Sequence, residues 1–125
     1  MLNYLTEQQV LAIHSDQIKR YGGSDGIIDR KRIDAALARA RIDYYPDIIA
    51  KASALWESLS QNHPFVDGNK RTAFASMHLF LKVNGVQITS DQQSTIRFVL
   101  GLYNKNQFKR EALEDWLRQN TSRGR

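Results

Sequence analysis

Nine consecutive residues, His63-Pro64-Phe65-Val66-Asp67-Gly68-Asn69-Lys70-Arg71, bring together an imidazole, a carboxylate, a glycine, an amide and two adjacent cations. An imidazole exchanges a proton near neutral pH, so His63 suits the task of general base. Asp67 offers a carboxylate to a hard cation such as Mg²⁺, which usually binds one or two carboxylates plus substrate phosphates. Gly68 lets the backbone take unusual angles and lets a ligand come close. Asn69 reads as the N-cap of a helix starting at about Lys70. The first amides of that helix then point outward at the positive end of its dipole, a ready anion site. Lys70 and Arg71 oppose the dipole there, at ~0.3–1 kcal/mol each. Their placement makes sense if an anion sits between them, Arg71 forked onto phosphate oxygens and Lys70 acting as a point charge. Phe65 is expected to peg the loop to the core. A hydroxyl activated by His63 could then attack phosphorus in a metal-bound, helix-held phosphate, where positioning and electrostatics do most of the work.

The surrounding pattern supplies helices to hold this loop. The spacing predicts a first helix from about Glu7 to Lys19, with Thr6 and Gln9 as a capping box and Val10, Leu11, Ile13 and Ile18 as its apolar stripe. Glycines 22, 23 and 26 break any regular element after it. A second helix begins near Asp29. A third has Pro46 in its first turn and buries Ile48, Ala52, Leu55, Trp56 and Leu59. Pro64 stops it, leaving His63 at or just beyond its end. The fourth, about Lys70 to Asn84, is apolar nearly all round and is expected to be the buried centre, with Gly85 as its C-cap. Residues 86–88 read as briefly extended. A fifth helix carries Ile96, Val99, Leu100 and Tyr103; a sixth carries Ala112, Leu113, Trp116 and Leu117. The expected fold class is all-α: a single-domain bundle, 1–125, of about six helices around a central buried one, with 121–125 as a frayed tail.

Composition agrees and excludes other classes. The 125 residues suit one domain, and 42% hydrophobic content is enough for a core. With no cysteine, disulfide frameworks and thiolate metal sites are excluded. The N-terminal segment lacks a signal-peptide pattern and no apolar run approaches the ~18 residues of a membrane helix, so no membrane association and a cytoplasmic location are expected. A net charge of +5 favours anionic partners.

Plainer readings stand beside the sharp ones. His63 alone could be a histidine stabilised by a helix C-terminus, Asp67 a turn residue, and Gly68 purely conformational. His14, inside the first apolar stripe, reads as a hydrogen-bonded core histidine, and His78 as structural. Lys31, Arg32, Arg39 and Arg41 read as a solvated face. Tyr44 and Tyr45 could border a target groove.

The loop as a whole resembles the Fic/Doc family motif, in which His-Pro-Phe-x-Asp/Glu-Gly-Asn precedes Gly-Arg and a further Arg. It looks closest to the Doc (death-on-curing) toxin branch, which carries Asn-Lys-Arg at this point. His14, the Gly22-Gly23 loop, Leu79-Phe80-Leu81 and Asn84-Gly85 also look like that branch, so the likeness spans most of residues 1–90. The resemblance implies His63 as general base, Asp67 as metal ligand, Gly68, Asn69 and the following amides as anion hole, and Arg71 on nucleotide phosphates. Lys70 stands where AMP-transferring members have Gly, and Phe74 where they have the second Arg; both departures are shared with Doc. In that branch the nucleotide binds in the reversed sense, so the implied reaction is transfer of the terminal phosphate of ATP, or another nucleoside triphosphate, with Mg²⁺. The implied target is a threonine of elongation factor Tu, arresting translation, and the implied partner is a cognate antitoxin. AMP transfer by the same site is the alternative. A basic nucleic-acid-binding module without catalysis ranks last, since no helix–turn–helix signature supports it.

Overall fold

The computed structural model describes residues 1–123. Six helices carry the fold: α1 (Glu7–Tyr21), α2 (Arg30–Arg41), α3 (Ile48–Gln61), α4 (Asn69–Lys82), α5 (Gln92–Asn104) and α6 (Arg110–Gln119). A two-stranded antiparallel ribbon, β1 (Val86–Ile88) with β2 (Thr121–Arg123), pairs Val86 with Arg123 and Ile88 with Thr121. The segment expected to fray is thus paired through residue 123; residues 124–125 lie outside the described residues. The domain is all-α apart from this ribbon, as its periodicity indicates.

Local signals explain most helix starts. Thr6 and Gln9 form the reciprocal capping box of α1. Asp29 caps α2 through the Lys31 amide, and Asp47 caps α3 through the Ala50 amide. Pro46 therefore lies in the turn before the α3 cap rather than in the first helical turn.

The centre of the bundle is α3, where the sequence pointed to α4. Every α3 residue from Ile48 to Ser60 except Glu57 is buried, and α3 packs against α2, α4 and α6. Its run of Ala50, Ala52, Ser53 and Ala54 lets neighbours approach on all sides, while Leu55, Trp56 and Leu59 fill the core at ~1.5–3 kcal/mol each. By contrast α4 buries one face only: Asn69, Thr72, Ala73, Ser76, Met77, Phe80 and Leu81. Its other side, with Phe74 and His78, looks into a groove of about 670 Å³ that opens toward α5. Ile96 and Leu100 of α5 line that groove and remain exposed at 48% and 52%. Apolar spacing alone does not distinguish such a groove wall from core.

Candidate active site

The loop of residues 62–68 leads from the end of α3 into the start of α4. It is fixed by its backbone. Residues 64–66 run antiparallel to 26–28: Ile28 N–H donates to the Pro64 carbonyl at 2.8 Å and Val66 N–H to the Gly26 carbonyl at 2.9 Å. The Phe65 main chain faces the other way, into the protein. There the Asn69 side-chain amide accepts from Phe65 N–H at 3.0 Å and donates to the Phe65 carbonyl at 2.9 Å. Asn69 is buried and does not cap α4. The N-cap is Gly68, at φ +77, and no side chain bonds the first amides of the helix. This corrects the capping role expected of Asn69, although the amide cradle remains: the first bond of α4 runs from Thr72 N–H to the Gly68 carbonyl, leaving the preceding amides outside the helical ladder.

Phe65 is 1% exposed and its ring stacks on His14, centroids 3.7 Å apart and planes within 4°. His14 Nε2 lies 2.8 Å from the Asp67 carbonyl oxygen. A carbonyl can only accept, so Nε2 carries the proton. The buried histidine read as core is thus part of the mounting of the loop. Gly68 sits where a side chain would meet the Ile18 terminal methyl at 3.1 Å and would have to adopt a left-handed backbone.

The polar side chains face outward. The His63 backbone is in the left-handed region at φ +50, which costs ~1–3 kcal/mol for a residue that is not glycine. Its Nδ1 lies 3.0 Å from the Gln61 carbonyl. Nδ1 must therefore carry a proton, and in the neutral ring the lone pair belongs to Nε2. Asp67 is exposed; its Oδ1 accepts from Gly68 N–H at 2.8 Å and its Oδ2 from Ser24 N–H at 3.2 Å. These two backbone donors, aided by the positive charge of Arg71, hold its carboxyl below the ordinary carboxylate range. Among the described residues no three His, Asp or Glu side chains gather as a metal cluster. An ionised Asp67 beside an anion cradle does fit Mg²⁺, whose remaining ligands would be phosphate oxygens and water.

Lys70 and Arg71 form no ion pair with a carboxylate among the described residues. Lys70 Nζ lies 4.2 Å from the centroid of the Tyr103 ring of α5. The Arg71 guanidinium donates to the Gly22 carbonyl at 3.0 Å and lies 5.6 Å from the Tyr21 ring centroid. Both cations line the α4–α5 groove, whereas His63 and Asp67, on the loop before α4, do not. The structure thus brings Asp67, Gly68, Lys70 and Arg71 together around the α4 N-terminus. It directs Asn69 inward, leaving only its main-chain amide for the cradle.

Several supporting residues were not singled out from the sequence. Arg32, read as part of a solvated face, donates from one guanidinium nitrogen to the carbonyls of Asn62 and His63, both at 3.1 Å. Arg39 is likewise engaged, with Glu57, Ser58 and Tyr45. Ser24 and Tyr103 act across 43 and 33 positions of sequence, and no local spacing announces them. Only the Gly22-Gly23 pair gave a hint.

The structure is thus a helical domain with a carboxylate and paired cations around one helix start and an imidazole on the loop that leads to it. Residues 4–81 match the Fic/DOC family, and the chain belongs to it. It falls in the Doc branch. It is 43% identical over 96 residues to "Toxin Doc" of Mycolicibacterium smegmatis, covering 73% of this chain and 72% of that one. It is 35% identical over 91 residues to "Protein kinase doc" of Escherichia phage P1, covering 70% and 72%. No helix among the described residues is long and apolar enough to cross a membrane.

Proposed function

We propose that this chain is a Doc-type toxin enzyme that transfers the terminal phosphate of a nucleoside triphosphate to a hydroxyl of a target protein. The observation that carries the reading is the pairing of a histidine whose Nδ1 is tied to the Gln61 carbonyl with an uncapped α4 start flanked by Lys70 and Arg71. His63 Nε2 takes the proton of the target hydroxyl. The hydroxyl oxygen bonds to the γ-phosphorus as the bond to the bridging oxygen breaks, releasing the nucleoside diphosphate. Lys70, Arg71 and the amides of Asn69 to Arg71 meet the charge on the phosphate oxygens. Asp67 would hold Mg²⁺, which screens the phosphate charge when bound.

Lys70 supports phosphate rather than AMP transfer, since its side chain fills space that a glycine would leave open for an α-phosphate. The phage relative is named a protein kinase. The retained cradle of Gly68 and Asn69 makes AMP transfer the second reading. ATP labelled at the γ- or α-position, incubated with the protein, Mg²⁺ and a bacterial extract, separates them. Label on protein from the γ-position supports the kinase. Label from the α-position alone overturns it in favour of AMP transfer.

By resemblance the target is elongation factor Tu in the cytoplasm, and labelling of the purified factor tests that directly. A cognate antitoxin is the expected partner, as the name of the relative "Toxin Doc" implies. The apolar wall of Phe74, Ile96, Val99 and Leu100 is the surface where an amphipathic antitoxin segment would lie. Pull-down from the native operon that recovers no small partner would count against it. A nucleic-acid-binding role would instead leave growth inhibition intact in His63→Ala.

A further inference from the structure

His63 sits in a backbone conformation that its own sequence does not favour, and the contacts that enforce it come from α2. The Arg32 guanidinium donates to the His63 and Asn62 carbonyls, while the Asn62 side-chain amide returns a bond to the Arg32 carbonyl at 3.4 Å. One residue on, the Pro64 carbonyl accepts from both Ile28 N–H and Asp29 N–H, at 2.8 and 3.2 Å. The peptide groups on either side of Pro64 are therefore gripped by the first turn of α2 and the residues leading into it. That grip supports a left-handed His63, a conformation that a free chain would relax. In this backbone the imidazole folds back over the end of α3, where Nδ1–H finds the Gln61 carbonyl.

We propose that Arg32 is a positioning residue for His63: by pinning the His63 carbonyl it keeps the imidazole in the Nδ1–H tautomer with Nε2 presented to the acceptor hydroxyl. The inference rests on His63 being the base proposed above. The competing account is that Arg32 only caps the C-terminus of α3 by bonding the Asn62 carbonyl. A cap would change stability and leave the orientation of the ring alone. Arg32 is itself half exposed, and its nearest carboxylate, Asp29, is 3.9 Å away, so removing the guanidinium buries no orphaned charge.

Two readouts test it in the full-length protein. Nitrogen NMR of ¹⁵N-histidine-labelled protein at a pH of about 8.5, where imidazoles are neutral, reports the tautomer without any substrate. His63→Ala assigns the signal. The wild type should show Nδ1–H at His63, and Arg32→Ala should shift it toward Nε2–H. In turnover, Arg32→Ala should lower kcat roughly 10–100-fold, the scale expected when a reacting group is misplaced by about an ångström. The nucleotide KM should stay unchanged, and Arg32→Lys, which restores one donor, should recover part of kcat. Arg32→Gln carries the same test if the alanine variant melts below the assay temperature. An unchanged His63 tautomer in a folded Arg32 variant overturns the proposal, as does a wild type already in the Nε2–H form. If wild-type protein transfers neither label, the kinase reading falls, and the tautomer shift alone decides the role of Arg32.

Discussion

Asn69→Ala discriminates between two roles for the motif amide. The side chain of Asn69 makes two bonds to the main chain of Phe65, at 3.0 and 2.9 Å, and Phe65 is 1% exposed. A typical bond contributes ~1 kcal/mol net, and a buried main-chain group left without a partner costs ~1–3 kcal/mol. Water reaches the site poorly, so the loss should lie near the sum, at ~2–4 kcal/mol. For a chain of this size each kcal/mol lowers Tm by roughly 3–6 °C, giving a fall of ~6–24 °C. Urea unfolding measures the free energy directly, with an unchanged m value showing that the unfolded state is not the cause. Asn69→Ala keeps its main-chain N–H in the cradle, so the nucleotide KM measured well below Tm should stay close to wild type. The reasoning fails if the variant loses less than ~0.5 kcal/mol while nucleotide affinity collapses; that pattern belongs to an amide that grips phosphate.

Three other perturbations read different parts of the site. Gly23 has φ +118, and an added Cβ would fall 2.7 Å from Asp67 Oδ2. Gly23→Ala should therefore cost ~1–3 kcal/mol and raise the Mg²⁺ concentration needed for half-maximal turnover, whereas an unchanged Mg²⁺ titration would detach Asp67 from the metal. Tyr103→Leu removes the ring beneath the Lys70 ammonium, worth ~0.5–1 kcal/mol at an exposed site, so the nucleotide KM should change about 2–5-fold; no change would show that Lys70 is held by something else. The carboxyl of Asp67 is lowered first by Ser24 N–H and then by Gly68 N–H, so its stabilising effect is fully present above the unfolded carboxylate value. That effect is lost as pH falls through the lower folded value. Thermal melts between about pH 6 and 2 should show a shallower acid limb for Asp67→Asn than for wild type, while Glu7, Asp47 and Asp91, also lowered, keep the limb from vanishing.

Local chemistry was legible wherever one residue decides its own surroundings. Thr6 and Asp29 announce helix starts because their side chains bond amides two or three positions on, whereas Asp47, which caps α3 in the same way, was passed over for Pro46. The reactive groups of the loop were legible for the same reason: imidazole, carboxylate and cations carry their chemistry in their type. The brace was not legible, because it is made between positions far apart. The same Asn that suits a cap also suits a clamp on Phe65, and only the bridge between Ile27 and Phe65, which turns the Phe65 main chain inward, decides between them. The centre of the bundle was misplaced because α3 and α4 carry equal numbers of large apolar residues, five each, whereas burial on all sides at α3 depends on its small ones. The apolar side of α4 that begins at Phe74 lines an open groove.

These differences share one cause. In the proposed function the loop offers a lone pair and two cations to a ligand, so it is held through its backbone and not by those groups. The carbonyls of His63, Pro64, Phe65 and Asp67 accept from Arg32, the residues before α2, Asn69 and His14 respectively. Each donor comes from a different element or from the protein side of the loop, while His63 and the α4 amides stay outward. The left-handed His63 marks where this arrangement works against local preference. The cations show the same division: Lys70 and Arg71 rest on a π face and a neutral carbonyl, partners too weak to neutralise them. A carboxylate in either place would have steadied the helix start and filled the position that the proposed phosphate occupies.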